Sequence, residues 1–227
     1  MELFSASWFS ALAAIVLIDL VLAGDNAIVI ALAARKLPPR LQRQAIVWGT
    51  LGAVVVRSAM TLAVVWLLRV PGLMLIGGLG LVWIAYKLLL PTSTESGHGE
   101  AANSFWGAMK TIVVADALMG IDNVLGVAGA AHGAFDLVVI GLLISVPIVV
   151  WGSTLVLKLV ERFPLVINLG AAVLAFTAAK MIVSEPLLDA VYDPHALARV
   201  ATYAVLVIGV LAAGRWAARR TPHAPAA

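Results

Sequence analysis

The sequence predicts an all-helical membrane protein of seven transmembrane helices, an inverted repeat of three plus three with one extra C-terminal helix, N-terminus outside and C-terminus in the cytoplasm. Three observations predict it. Of 227 residues, 63% are hydrophobic and 12% charged, against about half and about a quarter in soluble domains. Several runs of about twenty residues carry at most one or two charges, long enough to cross a hydrocarbon core of about 30 Å. Basic residues gather in alternate connections, as expected of loops on the cytoplasmic side.

The spans are expected at 8–34, 44–68, 72–90, 105–131, 137–157, 165–183 and 200–218, separated by breakers such as Pro38-Pro39, Pro71-Gly72, Gly133, Pro164 and Pro186. They form one transmembrane domain over 1–227. The first repeat covers about 7–91, a polar cytoplasmic loop about 92–104, the second repeat about 105–184 and the extra helix about 199–218. Arg35, Lys36, Arg40 and Arg43 follow the first span, Lys158 and Arg162 the fifth, and Arg215, Arg219 and Arg220 the seventh. These ends are cytoplasmic, while the opposite connections are short or carry acids (Asp136, Glu185, Asp189, Asp193). No basic residue precedes the first apolar stretch and no small-residue cleavage pattern follows it, so the first span is expected to stay. The net charge of +3 reads as topology rather than nucleic-acid binding. Absence of cysteine excludes disulfides, thiolate metal sites and cysteine nucleophiles.

An offset of 97 residues superposes Asp19 on Asp116, Asp25 on Asp122 and Asn26 on Asn123. An offset of 93 places Trp83 on Phe176, Ala85 on Ala178 and Lys87 on Lys180. Each copy holds three spans, an odd number, so the copies cross the membrane in opposite directions, as in many secondary transporters.

Asp19 lies about twelve residues into its span, roughly 18 Å along a helix and near the bilayer middle. Asp116 is at similar depth, with Asp25 displaced towards the cytoplasm and Asp122 towards the outside. Residues seven apart nearly share a helix face, so Asp19 pairs with Asn26 and Asp116 with Asn123. Gly24 and Gly120 are where local unwinding would turn Asp25 and Asp122 inward. A charge at mid-membrane costs about 2.5 to 3.5 kcal/mol, and four carboxylates on the order of 10 kcal/mol unless compensated. Arg57 is the basic residue nearest the middle; it can be a structural counter-ion or an internal cation that fills the site when metal is absent. The bland reading is a buried network that only fixes packing, whereas intramembrane ionisable groups usually mark an ion path.

Carboxylate, amide and backbone oxygens suit Mn²⁺, Mg²⁺ or Ca²⁺ and disfavour Zn²⁺ or Cu⁺. The four histidines fall in loops or the tail. Met119 is either a soft ligand beside Asp116 or core packing. Lys87 and Lys180 either snorkel to headgroups or gate the two ends of the path.

These residues resemble the TerC family of integral membrane proteins. The likeness runs through Gly24-Asp25-Asn26-Ala27, Gly49-Thr-Leu-Gly-Ala with Arg57, Trp83-Ile-Ala-Tyr-Lys87 and Ala115-Asp116-Ala-Leu-Met-Gly-Ile-Asp122-Asn123. The family is associated with tellurium resistance, and members similar to this chain look like manganese exporters of the bacterial inner membrane. The resemblance implies that Asp19, Asp25, Asn26, Asp116, Asp122 and Asn123 bind metal and that Arg57 matches the family's arginine; Asp25 and Asp122 are the expected principal ligands, with Asn26 and Asn123 orienting or coordinating, and Asp19 and Asp116 as ligands or proton carriers. Gly120 stands where relatives often have serine, which removes one hydroxyl.

The expectation is a divalent cation transporter of the bacterial inner membrane, moving Mn²⁺ ahead of Ca²⁺ or Mg²⁺ out of the cytoplasm in exchange for protons. No cofactor is expected beyond the transported ion. Partners are the bilayer and the metal, with a homodimer left open and no nucleic acid. The alternative is a membrane scaffold for tellurium resistance or for metalation of secreted proteins, without flux of its own. An intramembrane aspartyl hydrolase is disfavoured, because the Tyr-Asp and Gly-x-Gly-Asp signatures are absent.

Overall fold

A computed structural model describes residues 5–67, 70–90, 98–131 and 134–220, with the Asp122 side chain among the few helical side chains outside the described set. In chain order the helices are α1 (Ala6–Ala34), α2 (Pro39–Leu62), the single turn α3 (Val64–Leu67), α4 (Leu73–Leu89), α5 (His98–Ala131), α6 (Phe135–Arg162), α7 (Leu165–Val183), a 3-10 turn (Pro186–Leu188), the single turn α8 (Asp189–Tyr192) and α9 (Ala196–Arg220). No strand occurs among the described residues, and a long helix lies at each of the seven expected spans. Among the described residues, five helices are long and apolar enough to cross a membrane, and six when the bent α1 is taken as one span.

Several boundaries and one conformation differ from the sequence reading. The α2 helix starts at Pro39, where proline is tolerated because a first-turn N–H has no helical partner in any case. It ends at Leu62, nearly two turns short of the expected end. The α4 helix has 17 residues, roughly 25 Å at the usual rise, so it falls short of a full crossing. Helix α5 begins at His98 and takes in part of the expected loop; Ala101 and Ala102 are strong helix formers that extend it. The unwinding expected at Gly24 and Gly120 does not occur, since α1 and α5 run on through both. Instead α1 bends by 50° between Ala6–Val21 and Gly24–Ala34, a kink of the kind glycine permits.

Helix α1 packs chiefly on α6, α2 on α5, and α4 on α7, while α9 lies against α4 and α7. Two glycines set the first two pairings. A Cβ on Gly49 of α2 would lie 2.8 Å from Ile112 of α5, and one on Gly141 of α6 would lie 2.6 Å from Ile15 of α1. Ile15 and Ile112 are separated by the same 97 residues as Asp19 and Asp116. The main apolar core joins Val29 and Leu32 to Leu81, Ile84, Met119, Leu174 and Met181. Outward faces are apolar as well: Leu17, Val55, Ile76, Leu155, Leu169 and Ile208 are all exposed. Large apolar patches of this extent are foreign to a water-facing surface and suit lipid.

The short α4 is held at both ends. Glu185, only 2% exposed, accepts from the backbone N–H groups of Gly72 (2.9 Å), Met74 (3.1 Å) and Leu75 (3.2 Å) at its N-terminus, and from Leu187 (3.4 Å). Burial raises the Glu185 carboxyl, but these backbone donors outweigh it and hold the group below its ordinary range. At the other end Arg35 donates to the Leu88 carbonyl (2.7 Å) and Lys36 to that of Leu90 (2.9 Å). An anion at the N-terminus and cations at the C-terminus both complement the helix dipole.

Candidate functional site

Asp19 on α1, Arg57 on α2 and Asp116 on α5 are all buried and meet at the centre of the helix packing. One Arg57 amino group donates to Asp19 Oδ1 and the other to Asp116 Oδ1. A single guanidinium thus bridges the two copies of the repeated aspartate. Ser145 of α6 bonds Asp19 Oδ2 and also lies 2.8 Å from its own helix's Leu142 carbonyl. Thr61 donates to the Arg57 carbonyl at 2.9 Å.

Beside this group is a cavity with room for one water-sized particle, about 20 Å³, lined by Asp19, Asn26, Thr50, Arg57, Asp116 and Ser145 among apolar neighbours. Asp19 has a partner on each oxygen. Asp116 Oδ2, Asn26 Oδ1 and Thr50 Oγ1 have none. With both carboxylates ionised, two negative charges face one positive charge, an imbalance that a low-dielectric interior penalises unless a cation joins it.

Of the residues singled out in the sequence, Asp19, Asn26, Arg57 and Asp116 come together here. Asp25 is half-buried, does not line the cavity, and accepts from the Asn26 N–H at 3.0 Å. Asn123 is half-buried and also stands off the cavity; the Asp122 side chain lies outside the described residues. Met119 is buried in the main core and borders Asn26 and Asp116. Lys87 and Lys180 are exposed in the last turns of α4 and α7, and the Lys87 ammonium sits 4.9 Å from the Trp83 ring centre. Among the described residues no three of His, Cys, Asp and Glu cluster as a metal site.

Two cavity residues escaped the sequence reading. Ser145 is a hydroxyl inside a long apolar run. Thr50 precedes Arg57 by seven residues, so the face rule that paired Asp19 with Asn26 applies to it equally.

Comparison with known proteins places this site in a family. Residues 4–222 match the model of the integral membrane protein TerC family. The chain is 46% identical over 181 residues to the uncharacterized membrane protein YjbE of Bacillus subtilis (strain 168), covering 80% of this chain and 83% of that protein. It is 27% identical over 192 residues to the UPF0053 inner membrane protein YgdQ of Escherichia coli (strain K12), covering 77% and 81%. No solved structure matches.

Proposed function

The chain belongs to the TerC family of integral membrane proteins, and from that premise we propose that it transports a divalent metal cation, Mn²⁺ by preference, out of the cytoplasm in exchange for protons. The observation that carries the proposal is the convergence of Asp19 and Asp116, from the two repeat copies, on one arginine beside a cavity of single-ion size. Hard oxygens in a buried, negatively biased pocket attract a small divalent ion. Arg57 is the cation that serves both carboxylates when no metal is bound; the metal enters the cavity beside it and draws Asp116 away from the guanidinium.

The architecture in this reading is an inverted repeat of three spans with α9 outside it, N-terminus out and C-terminus in, in a bacterial inner membrane. The helix pairings support it: exchanging the two repeats converts α1 on α6 into α5 on α2, and leaves α4 on α7 unchanged. The matched contacts Gly49–Ile112 and Gly141–Ile15 support it in the same way. Asp25 lies six residues beyond Asp19, and Asp122 six beyond Asp116; in this reading the two helices run in opposite directions, and Lys87 and Lys180 stand near the two mouths.

The test is flux in proteoliposomes under an imposed pH gradient, with Mn²⁺, Mg²⁺, Ca²⁺ and Zn²⁺ compared. Mn²⁺ movement accompanied by opposite proton movement is expected. Intact protein that moves none of these ions would favour a scaffold instead.

A further inference from the structure

We infer that Thr50 is a direct ligand of the transported cation, forming with Asn26 Oδ1 and Asp116 Oδ2 a three-oxygen seat on one side of the Arg57 ion pair. The inference rests on the transport reading and specifies its ligand set. Thr50, Asn26 and Asp116 are 3%, 5% and 7% exposed. They belong to three different helix turns on α2, α1 and α5, and all three border the same cavity. Each has a buried side-chain oxygen with no hydrogen-bond partner. Buried polar atoms without partners are few in folded proteins, and three around one cavity point to a missing occupant.

Thr50 had an alternative. Thr61, Thr111, Ser153, Thr154 and Thr202 each donate to the carbonyl four residues back in their own helix. Such a bond is open to any helical hydroxyl. Thr50, which lines the cavity, makes none.

The other aspartate cannot serve as readily. Both Asp19 oxygens are engaged, by Arg57 and by Ser145, so metal binding there would break an existing bond first. The free oxygens are one carboxylate, one amide and one hydroxyl, all hard donors suited to a divalent ion. Space for a single water-sized particle admits the ion with little of its hydration shell. That disfavours Mg²⁺, which gives up its waters reluctantly.

The experiment is Mn²⁺ and Cd²⁺ binding by titration calorimetry to the purified full chain and to Thr50→Val, Thr50→Ser and Thr50→Cys. Valine keeps the shape and removes the oxygen, so Mn²⁺ affinity should fall about tenfold or more, while serine stays within about threefold of wild type. Cysteine should shift the Cd²⁺-to-Mn²⁺ affinity ratio towards Cd²⁺ by about tenfold or more, since thiolate selects softer metals. The wild-type chain has no cysteine, so a cadmium–thiolate ultraviolet absorption band would have one source. A valine variant that binds Mn²⁺ like wild type, or a cysteine variant with an unchanged metal ratio and no thiolate band, would overturn the inference. If valine disrupts folding, the serine and cysteine variants still decide it. A wild-type protein that binds and transports Mn²⁺ while the Thr50 series is flat removes only this ligand; a wild type that does neither removes the transport reading itself.

Discussion

Helix α1 brings Asp19 and, seven residues on, Asn26 to the cavity, whereas α5 carries the same pair at Asp116 and Asn123 but brings only the aspartate, with Met119 bordering it. Asp19 is bonded at both oxygens and Asp116 at one. The register that places Gly49 on Gly141 aligns Arg57 with Val149 and Ser145 with Ala53, and all four line the cavity. Each repeat therefore offers the same two wall positions, and each fills a different one with a polar group. The aspartates match in sequence, and the differences around them decide which carboxylate is bonded at both oxygens and which keeps one oxygen without a partner.

The largest break in that comparison is removal of the shared cation. Arg57→Gln strands two buried carboxylates, and a thermal or denaturant melt in detergent should show about 3–5 kcal/mol of lost stability, with net Mn²⁺ flux abolished. Next come the two aspartates. Asp116→Asn should lower Mn²⁺ affinity by about 100-fold and Asp19→Asn by only about tenfold, because the first holds a free oxygen and the second does not; calorimetry on both variants checks the ranking. Equal effects would dissolve the asymmetry.

The packing, by contrast, should behave symmetrically. Gly49→Ala and Gly141→Ala each drive a methyl into an isoleucine, and both should cost about 1–3 kcal/mol in the same melt. A control away from the site is Glu185→Gln at the α4 terminus, expected to cost about 1 kcal/mol as a lost cap. Because the folded Glu185 carboxyl lies below its ordinary value of 4.5, its contribution is full above that value. It fades as pH falls through the lower folded value, and the Gln variant should lack that acid-side loss.

The smallest change makes the halves more alike. Ala53→Ser would give Asp116 Oδ2 a hydroxyl partner like the one Ser145 gives Asp19, and Mn²⁺ affinity should drop about threefold. Unchanged affinity would mean that Asp116 Oδ2 is not where the metal binds.

The all-helical, membrane-spanning character was legible because lipid imposes a simple rule: long apolar runs, polar connections and acids only where something compensates them. Asp19, Asn26, Arg57 and Asp116 stood out by depth and by seven-residue spacing. Asp25 was expected to turn inward through an unwound segment, yet α1 stays helical and bends by 50° between Val21 and Gly24, with Asp25 off the cavity. Ser145 and Thr50 were missed because a hydroxyl in a membrane helix can satisfy itself on its own backbone, so its presence in sequence says little. Only the tertiary arrangement distinguishes Thr50 from Thr61.

Transport by this site requires one cation seated between α1 and α5. Diffraction from Mn²⁺-soaked crystals at the manganese absorption edge tests this directly. A single anomalous peak within bonding distance of Asp116, Asn26 and Thr50, with Arg57 withdrawn from Asp116, is the predicted result. A manganese peak only at the membrane surfaces, with Arg57 still bridging both aspartates, would contradict it.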